Sequence, residues 1–385
     1  MIMDSRYEVL QTVYNGFLHT GMSFIGLLDN SLKCFSKITS DHPGMYYFVP
    51  KIACFFHISL DQALLFFING LLLMGFFLCM CGFYLLTRSF LFLGYGIVLA
   101  FGLWHQDIFY FFDVYVAYAV AICGVIPLFF YFFEKKYFSK GFCIFLFFAG
   151  ILLGYCHLIR HYSLLPALKF IGLMLAWERY INLRKKIIFM GCLCFGLALP
   201  MVHIEYELYK SRIFLHQQIM QEIPVKKSFW HHIYIGFGFI PNYFSITYKD
   251  ACAANKVKEI DSNVEYCSQK YEQILMKEVL NIIVHARLFV LSTLFAKLGI
   301  CLLYFLLCFN FGLWGLWRMN GKKWMHGAFT IALLISATPG ILVMPRSSYL
   351  SGFSMLSFVY GLYCLHFEWD ILLSKIRRLF KNFLL

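Results

Sequence analysis

The sequence predicts an all-α integral membrane protein, a multi-pass helical bundle of about nine spans with an extracytoplasmic loop domain. Three observations predict it. Of 385 residues, 61% are apolar and 20% aromatic, and mean hydropathy is +0.70. A soluble fold needs more polar residues than that to cover its outside. The apolar residues also fall in runs of roughly 20, the length that crosses a ~30 Å hydrocarbon core. Finally, Lys and Arg gather in alternate connections between those runs.

Residues 1–60 are read as an extracytoplasmic first loop with an interfacial segment. No cleavable signal is visible, because Met1–Asn30 lacks a basic region followed by a clean apolar one. Val9–Leu28 is either a weak interfacial helix or a sign that an upstream first span is missing. The odd span count favours the second reading, which would make the count ten. Six spans are expected in 61–204, near 61–86, 88–104, 109–133, 140–158, 162–178 and 186–204. Residues 205–286 form the one sizeable polar segment, read as an extracytoplasmic loop domain lying over the membrane mouth as a lid. At ~80 residues it is too small for a large core of its own. Within it, "FWHHIYIGFGFIPNYFSITYKD" (229–250) is aromatic-rich, and 255–287 reads as helix. Three more spans, near 287–316, 324–344 and 350–368, precede a basic tail that completes the region 287–385.

Charge placement orients the chain. Arg88; Lys135, Lys136 and Lys140; Arg179, Arg184, Lys185 and Lys186; Arg318, Lys322 and Lys323; and Lys375, Arg377, Arg378 and Lys381 all thread to one side. Only four acids join them: Glu134, Glu178, Glu368 and Asp370. By the positive-inside rule that side is cytoplasmic, which puts the C-terminus inside; the membrane expected is a bacterial inner membrane. The formal net charge of +13 is therefore an orienting signal with some contact to anionic lipid, and nucleic acid is not an expected partner.

The fourteen cysteines read mostly as small apolar core residues, Cys79/Cys81 and Cys192/Cys194 among them. Cys252 and Cys267 share the outer segment and are candidates for a disulfide in an oxidising compartment. No Gly-rich phosphate loop and no HExxH or CxxC spacing occurs, so ATP-driven chemistry and a zinc hydrolase are unsupported. No cofactor is expected. A metal between His157 and His161, four residues apart, has no support beyond that spacing.

The remaining polar residues are biased to the outer side: all histidines but His326 and His366, and all but four of the acids. Asp29, Asp41, Asp107, Asp113, Arg160, His161 and Arg346 map to outer loops or span ends. Charges at the membrane boundary are costly unless paired or facing water, so their collection on one face points to a shared cavity; separate snorkelling to the headgroups is the bland alternative. Arg suits a lipid phosphate because its planar fork binds two oxygens. A carboxylate at the same interface can take a proton from an incoming hydroxyl. Together these are the two halves of glycosyl transfer from a polyprenyl-phosphate-linked sugar to an acceptor glycan, lipid or protein. Arg160, His161, Arg346 and His42 are the candidate phosphate ligands, and Asp41 and Asp29 the candidate bases. Asp107, Asp113, Trp230 and Tyr234 are candidate substrate or lid residues. Asp41 also reads as a helix N-cap, with Pro43 in the first turn and Tyr46–Tyr47 anchoring at the interface. A cap and a base can be one carboxylate.

The stretch "DHPGMYYFVPKI" (41–52), followed by "SLDQALLFFINGLLLMGFFLCMCGFYLLTRSF" (59–90), resembles the first outer loop and next helix of polyprenyl-phosphate-sugar transferases. These are the protein O-mannosyltransferase and aminoarabinose-transferase group, with the C-type glycosyltransferase fold. In that group a His-Pro-Pro or Lys-Pro-Pro tract precedes the helix, and an acid of the first outer loop is the base. His42-Pro43 matches the start of the tract, and Gly44 stands where the second Pro would be. The group's acid lies well upstream of the tract, which favours Asp29 over Asp41 and leaves the assignment open between them. "HQDIFYFFD" (105–113) sits where the group carries further acids. The likeness covers residues 25 to 170, in layout more than in strict motif. A lipid-linked-sugar flippase or other transporter, and an inactive transferase homologue that has lost its first helix, are the alternative readings.

Overall fold

The computed structural model describes residues 4–28, 30–34, 43–111, 113–135, 138, 140–215, 229–318, 323–369, 371, 373 and 374. It is almost wholly helical, with one two-stranded antiparallel hairpin.

The N-terminal part is α1 (Asp4–Thr20), the hairpin β1 (Ile25–Leu28) and β2 (Ser31–Cys34), and α2 (Pro43–Phe56). α2 begins at Pro43, whose missing N–H costs nothing in a first turn. Next come α3 (Leu60–Thr87), α4 (Phe90–His105), α5 (Val116–Cys123), α6 (Ile126–Glu134), α7 (Lys140–Ile159), α8 (Leu165–Trp177) and α9 (Leu183–Phe214). α3 starts on a capping box, in which Ser59 and Gln62 satisfy each other's backbone N–H groups. The segment 229–286 holds α10 (Phe229–Gly236), α11 (Asp250–Ile260) and α12 (Gln269–His285), and the chain continues through α13 (Arg287–Phe309), α14 (Gly312–Arg318), α15 (Lys323–Leu342) and α16 (Ser351–His366).

Helices occupy all nine stretches expected to be spans. Among the described residues, six helical units are long and apolar enough to cross a membrane: α3, Asp113–Glu134, α7, α9, α13 and α15. α4 and α8 are apolar but shorter. Large apolar side chains stand exposed along these helices, including Leu73, Phe77, Val98, Phe195 and Phe295. In water such a belt would be a liability, whereas lipid tails accept it. This is the surface of a multi-pass membrane protein.

Several boundaries differ from the expected ones. The 109–133 stretch is broken at Gly124–Val125, and its first turn, Asp113–Tyr115, is a 3-10 helix. The 287–316 stretch stops at Asn310, and α9 continues ten residues past the expected end at 204. The 255–287 stretch holds two helices, not one, because 261–268 breaks the run between α11 and α12.

α16 is buried from Ser351 to Leu365. It can therefore be less apolar than a lipid-facing helix, and the hydroxyls of Ser351 and Ser357 return hydrogen bonds to Ser347 O and Phe353 O. Aromatic stacks hold it: Phe130–Tyr363 at 3.7 Å and Phe329–Tyr360 at 4.0 Å between centroids. The buried Tyr360 hydroxyl meets His326 Nδ1 at 2.8 Å, as a phenol away from water requires. α7 and α9 pack at close range through glycine. A Cβ on Gly196 would lie 2.1 Å from Phe147 O, and one on Gly150 would lie 2.3 Å from Leu193 O. Without side chains there, two backbones approach where lipid provides no hydrophobic force to join them.

The segment 229–286 has its own small core, built on Tyr234, Phe237, Val257, Tyr271, Leu275 and Val279. Its polar heart is His231, whose ring bonds Tyr271 Oη at 2.7 Å and Asp250 Oδ1 at 3.1 Å. Glu272 accepts the backbone N–H groups of Trp230 and His231, supplying the first turn of α10 with acceptors. Cys252 and Cys267 are both free thiols, so the candidate disulfide between them is not formed. The Cys252 thiol is held locally instead, against Thr247 N and Ser245 O.

Candidate functional site

The turn after α7 carries Arg160, whose N–H still bonds Cys156 O. A cation there also meets the negative end of the helix. Its Nη2 donates to Tyr115 Oη at 3.1 Å, and the guanidinium carbon lies 4.5 Å from the Tyr115 ring centre. Tyr115 stacks in turn with Tyr118, centroids 6.5 Å apart. Gly352 of α16 makes room for that second ring, since a Cβ there would sit 2.9 Å from it. The arginine is thus oriented by the Tyr115 phenol, which Tyr118 backs in turn.

Arg160, Tyr115 and Tyr118 face a cavity of about 510 Å³. His161 and Tyr349 supply further polar groups, while Leu165, Pro166, Ile335, Pro339 and Leu342 make the rest of the wall mostly apolar. α10 covers one side with Phe229, His232 and Ile233. These residues are spaced i, i+3, i+4 and share one helix face. Trp230 and Tyr234, the expected lid residues, lie on the other face and pack with the small core of 229–286. α10 therefore meets the cavity through Phe229, His232 and Ile233 and not through Trp230 and Tyr234.

Arg346 lies at the rim. It is exposed, with its guanidinium carbon 4.9 Å from the Tyr248 ring centre. Tyr248 Oη donates to Tyr349 Oη at 3.1 Å, which connects the rim to the cavity wall. Burial and that hydrogen bond push the Tyr248 phenol up, so it stays a neutral donor.

Asp113 forms an ion pair with Arg6 of α1. It is buried, sits at φ 57°, and its Oδ1 has no hydrogen-bond partner among the described residues. Tyr115 feels this pair as well as Arg160, so the four groups are electrostatic neighbours. Asp107 is exposed at the end of α4 and takes no part in the cavity. Asp29, Asp41 and His42 lie outside the described residues. His157 and His161 rings are 4.4 Å apart, and His157 Nδ1 accepts the Tyr162 N–H at 3.2 Å, which occupies one nitrogen a metal would need. No group of three or more metal-ligating side chains occurs among the described residues.

Of the expected site residues, the structure brings Arg160 and His161 to one cavity, sets Arg346 at its rim, and places Asp113 beside Tyr115. Tyr115, Tyr118, Tyr349, His232 and Arg6 were not expected. Among 25 tyrosines nothing in spacing marks these three, and Arg6 reads as an ordinary N-terminal charge. No family model, curated protein or solved structure matches this chain.

Proposed function

We propose that this protein is a membrane glycosyltransferase that moves a sugar from a polyprenyl-phosphate donor to an acceptor hydroxyl on the outer face of the membrane. The observation that carries the reading is the amphipathic cavity, with a guanidinium fixed on Tyr115 beside apolar walls. A lipid phosphate has that same division: an anionic head that an arginine fork can hold, and a chain that apolar surface accepts. In the reaction the bond between sugar C1 and the phosphate oxygen breaks, and its electron pair stays on the phosphate. A bond from C1 to the acceptor oxygen forms, and the acceptor's proton passes to a carboxylate. Arg160 and His161 stabilise the departing phosphate in this scheme. Asp29 or Asp41 is the base by resemblance to the transferase group. The nine-span topology, with 229–286 outside, the C-terminus in the cytoplasm and the chain in a bacterial inner membrane, belongs to the same proposal.

The transporter reading gains less support. Such a protein needs polar groups through the depth of the bilayer, and of the two deep lysines one is accounted for locally. Lys297 donates to Leu342 O and Val343 O, capping the end of α15. Lys169 is exposed on α8.

The test is direct binding by the full chain in lipid nanodiscs. Farnesyl phosphate should bind and farnesol should not, and a polyprenyl-phosphate sugar should be consumed when acceptor is supplied. Equal binding of phosphate and alcohol overturns the reading.

A further inference from the structure

On the far side of α10 from the donor cavity lies a second cavity of about 640 Å³. It runs between α11, α12 and the 244–249 loop, within 229–286. Its chemistry is unlike that of the first. Thr247, Asn255 and Asn281 present hydroxyl and amide groups that are exposed and make no side-chain hydrogen bond among the described residues. Each such amide offers donors and an acceptor together. The charges on the wall cancel: Lys249 and Lys256 face Glu259 and Glu278, and Lys256 lies 3.7 Å and 3.8 Å from the two carboxylates. Tyr234 and Phe244 contribute aromatic surface to the same wall.

We propose that this groove binds a neutral saccharide. A sugar hydroxyl both donates and accepts, so it matches the open amides, while the C–H face of a pyranose lies on an aromatic ring. The wall carries two lysines against two glutamates and so has no net positive charge to select an anionic ligand, and a peptide finds no strand edge to extend. The groove and the donor cavity share α10, with Tyr234 turned to one and Ile233 to the other. Its role as the acceptor site rests on the transferase reading above; saccharide binding itself does not.

Saturation-transfer NMR on the full chain in nanodiscs tests this, with maltotriose, chitotriose and mannotriose as probes and sialyllactose as the anionic control. At least one neutral probe should receive saturation and bind more tightly than the control. The Asn255→Ala/Asn281→Ala double variant should lose at least tenfold in affinity. Both side chains are exposed and without hydrogen bonds, so its thermal midpoint should equal that of the parent; Thr247→Val serves as an independent second variant with a smaller loss. Arg160→Ala should lose farnesyl phosphate binding yet keep the saccharide, which separates failure of one site from failure of the other. Absence of binding by all three neutral probes, preference for the anionic sugar, or unchanged affinity in both variants overturns the proposal.

Discussion

Arg160 and Arg346 look equivalent as arginines in short turns, yet their surroundings differ. Arg160 is fixed between a helix end and a phenol in a mostly apolar cavity, whereas Arg346 lies exposed on a tyrosine face. Stripping a buried charge of its partner costs about 2–5 kcal/mol, while an exposed cation–π contact contributes about 0.5–1 kcal/mol. Arg160→Ala should therefore weaken farnesyl phosphate binding by the larger range, and Arg346→Ala by no more than the smaller. Titration calorimetry reads both, and the reverse order would remove Arg160 from the phosphate site. The base is addressed by a second pair. In Asp29→Asn or Asp41→Asn, one variant should keep normal donor affinity and lose roughly 10²–10⁴-fold in turnover. The other should turn over as the parent does. Normal rates in both would end the assignment of a base to either position. Arg160 and His161 were legible as candidates for one cavity, because charge at the end of an apolar run is rare and conspicuous. Tyr115 and Tyr118 were not, because an aromatic residue on an apolar helix has the same appearance whether it anchors, packs or orients an arginine.

Among elements, α7 and α9 depend on close backbone approach at Gly196 and Gly150. Gly196→Val must push a side chain into the Phe147 carbonyl, and overpacking of this kind costs about 1–3 kcal/mol, with more expected when backbone is the obstacle. The thermal midpoint of the full chain in detergent should fall, whereas Gly191→Ala, where a Cβ meets nothing within 4 Å, should leave it unchanged or raise it. The turn between α11 and α12 provides a pH-dependent element. Lys270 and the Asn263 N–H bond Asp261 and hold its carboxyl below the usual range. Its folded pKa lies under the unfolded value of about 4. The contribution is therefore present above that pH and is lost as pH falls through the folded pKa. Asp261→Asn should flatten the dependence of thermal midpoint on pH below about 4 and change little at pH 7. An unaltered acid slope in that variant would show that the salt link carries none of it. Helix existence was readable here; the turn at 261–268 was missed although Asp261-Ser262-Asn263 is a turn-forming triplet and Ser268 caps the next helix.

For the whole molecule, the Lys/Arg asymmetry predicts opposite sides for the outer segment and the tail. Reporter fusions after Lys227 and after Lys381 should report extracytoplasmic and cytoplasmic locations, and the same compartment for both would overturn the orientation. Apolar composition and run length alone determined that this chain is a multi-pass helical membrane protein, because the cost of exposing backbone and charge to lipid acts on every residue of a span regardless of its neighbours. Which helix is central was decided only by packing. α16 is the most enclosed helix yet is not among those long and apolar enough to span by composition. The reason is physical: lipid selects for apolarity on the outside, while an enclosed helix is selected by fit and may carry hydroxyls that bond to its own turns. The same holds for the cavity, whose wall comes from α5, the 160–166 turn, α10 and α15. Those segments are far apart along the chain, and their meeting is a property of the assembled bundle, not of any local pattern.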